Sequence, residues 1–119
     1  MKMIYIAGKY RAENEYGIWV NVRTAQLATF KILEEMDGWA PICPHANTHG
    51  AGGIRDDEYI LECCLEIMSR CDAVLLLPGW EESEGSVAEV HAAAELMIPC
   101  FTYEEFFGEE KLELVGGEV

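Results

Sequence analysis

The stretch LLLPGWEESEGSVAEVHAAAE, residues 75–95, decides the fold. An apolar run closed by Pro78 and Gly79 has the pattern of a strand buried on both faces of a parallel sheet. Trp80 and a group of small and acidic residues follow, and the chain then takes up helical spacing. Glu89 falls one turn inside that helix, beside the mouth of the strand. A carboxylate there suits the positive end of the helix dipole, so a plain surface acid and a nucleophile both fit the position.

Working outward, KMIYIAG at residues 2–8 is a second short apolar run ending in glycine and predicts another buried strand. Residues 17–36 place Ile18, Val22, Ala25, Ala28 or Thr29, Ile32, Leu33 and Met36 at spacings of three and four, the pattern of an amphipathic helix that Gly38 ends. GWAPICP, residues 38–44, is a weaker strand, and Pro41 suits a sheet edge where its missing N–H is not needed. PHANTHGAGGIRD, residues 44–56, lacks periodicity and predicts a long loop of the kind kept for binding. From Asp57 to Arg70, Tyr59, Ile60, Cys63, Cys64, Ile67 and Met68 line one helical face, and Asp57 and Glu58 suit its first turn. CDAVLLLPG is the third strand, SVAEVHAAAELM the third helix and IPCFTY the fourth strand. The remainder, residues 104–119, reads as a half-turn with a fifth edge strand, or only as an acidic tail, after a domain spanning 1–103.

Alternating strands and helices predict an α/β fold with a doubly wound parallel sheet. The expected strand order is 2-1-3-4, in a flavodoxin-like or Rossmann-like three-layer sandwich. Ligands of such sheets bind outside the carboxyl ends of the strands, where the strand order reverses. The segments expected there are Ala7 to Arg11, residues 44–56 and Pro78 to Glu89.

The 119 residues suffice for one domain, and half of them are hydrophobic. Twenty-two acids against 8 bases give a net charge of −14, which argues against long nucleic acid and anionic membranes as partners. No apolar run approaches the ~20 residues of a membrane helix. Five cysteines without a C-x-x-C pair, and a start that enters a strand without a signal-peptide pattern, predict a reduced, cytoplasmic protein.

The combination of IYIAG at 4–8, CDAVLLLPGWE at 71–81 and S-x-G-x-x-x-E at 83–89 resembles the nucleoside 2-deoxyribosyltransferase-like superfamily, nearest to an uncharacterised phage and bacterial branch with an LLPGWE signature. The resemblance implies cleavage or exchange of the N-glycosidic bond of a 2'-deoxynucleoside or its 5'-monophosphate. It gives Glu89 the place of the nucleophile, and Tyr5 that of the tyrosine orienting it. A carboxylate suits this work because it stabilises an oxocarbenium-like centre and can capture it covalently. The helix N-terminus is expected to keep Glu89 ionised.

Ser83 stands where the resembled monophosphate hydrolases carry a phosphate-binding serine. With Ser86, Gly85 and the helix start it would form an anion cradle, and either serine would also serve as an ordinary N-cap. Gly8, Lys9 and Arg11 would meet a phosphate or sugar, though two bases in a loop also describe a solvated surface. The superfamily's leaving-group acid, eight residues before the strand-three Asp-Ala, falls on Cys64, a weak donor. Asp57 is a possible stand-in, and Cys63 and Cys64 equally read as core residues.

His45 and His49 with Asp56 and Asp57 have metal-ligand chemistry but sit in a glycine-rich stretch and not on one helix face, so no metal or other cofactor is expected. The histidines instead suit a base pocket, with Trp80 or Trp19 as a stacking face. The resemblance also implies a homo-oligomer. The other reading is a nucleotide-binding or sensing module that keeps the fold without catalysis.

Overall fold

A computed structural model describes residues 1–51 and 53–108. Its sheet contains β1 (Lys2–Ala7), β2 (Trp39–Ile42), β3 (Ala73–Leu76) and β4 (Cys100–Thr102) in the order β2-β1-β3-β4, all parallel. The helices are α1 (Glu15–Glu35), α2 (Pro44–Thr48), α3 (Asp57–Met68), α4 (Glu84–Glu95) and α5 (Tyr103–Phe107), with a 3-10 turn at Trp80–Glu82. The expected doubly wound α/β architecture is therefore the one observed.

Alternation along the two central strands divides the core. Ile4 and Ile6 of β1, with Ala73, Leu75 and Leu77 from β3 and its end, pack against Ala25, Ala28 and Ile32 of α1 and Tyr103 of α5. Tyr5, Ala7, Val74 and Leu76 face the opposite way, toward Met68 of α3 and Ala93 of α4. Both faces of β1 and β3 are covered, which explains their unbroken apolar runs. The sheet reverses its winding between β1 and β3, where Ile4–Ala7 runs beside Ala73–Leu76.

Two expectations need correction. The segment 44–56 is not loop from its first residue: Pro44 takes an initial helical position and α2 runs to Thr48. Proline fits there because its fixed φ suits the first turn and its missing N–H would be unpaired anyway. On α1 the inward residues are Val22, Ala25, Ala28 and Ile32, whereas Leu33 is 64% exposed. After β4 the chain turns into a short helix, α5, closed by a capping box between Thr102 and Glu105. The expected boundary at 103 falls on the first residue of α5, and the remaining tail or edge-strand residues, 109–119, lie outside those described.

Candidate active site

Tyr5 and Glu89 meet at the carboxyl edge of the sheet. Tyr5, on the face of β1 covered by α3 and α4, is fully buried, and Glu89 is 7% exposed one turn into α4. The Tyr5 hydroxyl donates a hydrogen bond to Glu89 Oε2. Burial raises the Glu89 carboxyl from 4.5 to about 7, with the Tyr5 hydrogen bond pulling the other way. Burial thus works against the ionisation that the helix start favours. The Tyr5 phenol is pushed up by burial, then by the Glu89 charge and Cys64.

Cys64 approaches the same pair from α3, and burial raises its thiol as well. Three groups on three elements thus share one water-poor corner.

An open crevice of about 840 Å³ leads to this corner. Its walls include Tyr5, Gly8, Lys9 and Arg11 from β1 and the segment after it, Pro44 and His45 of α2, Asp57 and Cys64 of α3, and Ser83, Gly85, Ser86 and Glu89 around α4. Such a volume is that of a small-molecule site. Ser83 caps α4, its Oγ accepting from the Ser86 N–H at 3.2 Å. Ser86 is 1% exposed, and its Oγ has no hydrogen-bond partner among the described residues. Of the two serines, Ser83 is thus the cap and Ser86 the unengaged hydroxyl in the wall.

The segment after β1 is held from several sides. His45 Nε2 lies 3.1 Å from Gly8 O and 2.9 Å from Lys9 O; both are acceptors, so this nitrogen carries the proton. Asn21 Nδ2 donates to Tyr10 O at 3.1 Å and Arg11 O at 3.2 Å. Lys9 pairs with Glu82 at 3.0 Å and Arg11 pairs with Asp57, each reaching a different wall. Gly8 is needed for close approach: a Cβ there would lie 2.8 Å from Leu77 Cδ1.

A family described as a domain of unknown function, DUF4406, matches residues 2–102. The chain belongs to that family. No curated protein matches the DUF4406 chain. Among solved structures, it is similar to a 2-deoxyribosyltransferase from Bacillus psychrosaccharolyticus, with a TM-score of 0.62, 18% identity, and coverage of 84% of this chain and 70% of that one. It is also similar to a 2-deoxyribosyltransferase from Leishmania mexicana, with a TM-score of 0.58, 21% identity, and coverage of 98% and 76%. At these identities the likeness establishes a shared fold.

Two tryptophans expected at the site of this DUF4406 member do not line the crevice, and its histidines take other parts. Trp80 packs against the core between β3, α3 and α4. Trp19 stacks on Tyr16 on the outside of α1, centroids 5.9 Å apart. Neither lines the crevice, whose tyrosines among the described residues are Tyr5 and Tyr10. His45 is a clamp on the segment 8–11, and burial lowers its imidazole, keeping it neutral. His49 meets the Tyr10 hydroxyl at 3.3 Å. Among the described residues no three His, Cys, Asp or Glu side chains form a group able to hold a metal ion, and no helix is long and apolar enough to cross a membrane. Sequence reasoning missed Asn21, Tyr10 and the crevice acids Glu58, Glu82 and Glu84. No motif marks them; only the topology brings them to one edge.

Proposed function

We propose that this protein cleaves or exchanges the N-glycosidic bond of a 2'-deoxynucleoside or its 5'-monophosphate, with Glu89 as nucleophile and Tyr5 positioning it. The observation that carries the reading is the buried Tyr5–Glu89 hydrogen bond opening on a crevice of small-molecule size. The shared fold with two 2-deoxyribosyltransferases supports it.

In this mechanism Glu89 Oε1, the oxygen not engaged by Tyr5, attacks the anomeric carbon as the bond to the base nitrogen breaks. The base leaves with the electron pair and takes up a proton from water in the open crevice, and the attacking water or second base gives up a proton in the next step. Water or a second base then attacks the same carbon, releasing the carboxylate. Covalent capture divides one difficult displacement into two easier ones. The unpartnered Ser86 hydroxyl, the Ser83 cap and the first turn of α4 supply donors for the sugar's 5' end, and a 5'-phosphate there would also meet the helix dipole.

The test is release of free base from a panel of deoxynucleosides and their monophosphates. Wild type is expected to release base, and Glu89→Gln to lower turnover by about three orders of magnitude or more while ligand binding persists. A wild type that binds but releases no base supports the second reading, a nucleotide-binding module. Cys64 favours that reading, since its protonated thiol is a weak donor to a departing base. Cys64→Asp then separates the two: a gain of ~100-fold marks a binder derived from an enzyme, because general acid help is worth about that much.

A further inference from the structure

α1 carries a second apolar face that none of the other described residues covers. Tyr16 is 59% exposed, Trp19 46%, Phe30 50% and Leu33 64%. With Arg23 and Gln26 between them these residues fall at successive spacings of three, four, three, four and three, the heptad spacing of a coiled-coil seam. The seam is about 26 Å long at 1.5 Å per residue. Its centre is polar: Arg23 Nη1 donates to Gln26 Oε1 at 3.3 Å, and the Arg23 guanidinium lies 5.7 Å from the Phe30 ring centre.

We propose that this face of α1 is a dimer interface that takes a second copy of the same helix in antiparallel orientation. The arrangement of the seam selects that occupant. Turned end for end about a point between Arg23 and Gln26, the stripe matches itself: Tyr16 faces the other copy's Leu33, Trp19 faces its Phe30, and Arg23 faces its Gln26. Each contact then occurs twice, as a two-fold interface requires. A parallel pair would instead bring Arg23 against Arg23 in the middle of the seam, so charge selects the antiparallel form. Arg23 and Gln26 already bond within one helix, and exchanging those bonds between helices keeps the Arg–Gln pairing and fixes the register.

The strength follows from size and charge. Half-exposed side chains of ~200 Å² each give an interface at the low end of the specific range, hence a dissociation constant of about micromolar order. Each copy carries a net charge of −14, and the register sets Glu15 near the other copy's Glu34. Added salt screens both repulsions and is expected to strengthen the dimer.

Sedimentation velocity from about 1 to 500 μM, at low and physiological salt, tests the proposal over the range in which such an interface would associate. Wild type is expected to pass from monomer to dimer, more readily with salt. Phe30→Glu, at an exposed position and checked for native circular dichroism, is expected to weaken association at least about tenfold. Adding Trp19→Lys to Phe30→Glu is expected to restore part of it, because the antiparallel register sets the new lysine against the new glutamate. A wild type that stays monomeric overturns the proposal and leaves the stripe to a different partner. Dimerisation unaffected by Phe30→Glu overturns it also, and a double variant no better than the single one overturns the register.

Discussion

Glu89 sits where burial opposes ionisation, and this links the chemistry to stability. Its carboxyl is raised from 4.5 to about 7, so between those pH values the folded chain holds a proton that the unfolded chain has lost. Stability consequently falls as pH rises through that window, by about 3 kcal/mol in full above it. Glu89→Gln removes the charge that burial disfavours. Thermal unfolding is expected to show this variant at least about 1 kcal/mol more stable than wild type at pH 8.5, the gap closing toward pH 4.5. The same group, acting as nucleophile, must be ionised, so base release is expected to climb with pH through about 7. Tyr5 holds the carboxyl down through its hydrogen bond. Tyr5→Phe is expected to move the midpoint of that pH profile upward by about one unit or more, because a hydrogen bond to a charged group is worth ~1.5–3 kcal/mol. A profile unmoved by Tyr5→Phe would detach Tyr5 from the reaction.

Among elements, the connections around the crevice are the most tightly specified. Gly79, between β3 and the 3-10 turn, has φ of 86°, and a Cβ there would lie 3.2 Å from Lys9 Cε. Gly79→Ala therefore combines left-handed strain with a displaced Lys9–Glu82 pair, and chemical denaturation is expected to show a loss of ~1–2 kcal/mol. The strands were legible in the sequence because β1 and β3 are covered on both faces and leave apolar runs that read only one way. The helix α2 was not, since Pro44 and the following glycines look like loop, and one short turn has no period to detect. Glu89 and Tyr5 were legible through the quoted motifs. Their protonation was not, because it depends on how closely α3 and α4 shut out water. Leu33 was assigned inward because the outer heptad and the inner stripe of α1 overlap in spacing, and only exposure separates them.

For the whole molecule, charge acts on what enters the crevice. The net charge is −14, and the crevice walls hold Asp57, Glu58, Glu82 and Glu84 against Lys9 and Arg11, a balance of 2 − 4 = −2 before Glu89 is counted. Both cations are already paired, with Glu82 and Asp57, in solvent-exposed bridges of the kind worth at most about 1 kcal/mol each. A monophosphate approaching the α4 start must cross a repulsive field and compete for those cations, whereas an uncharged nucleoside meets neither obstacle. The repulsion is long-range and reaches ~30 Å at 10 mM salt but ~8 Å at 150 mM. Contacts to Ser86 and the helix start are short-range and change little over that interval. Raising salt from about 10 to 150 mM is therefore expected to lower the KM of a deoxynucleoside monophosphate several-fold while leaving that of the nucleoside nearly constant. Steady-state base release on both substrates at the two salt levels checks this. A monophosphate KM that instead rises with salt would mean that Lys9 and Arg11, freed from their carboxylates, dominate the approach, and that the acidic walls do not set the choice of substrate.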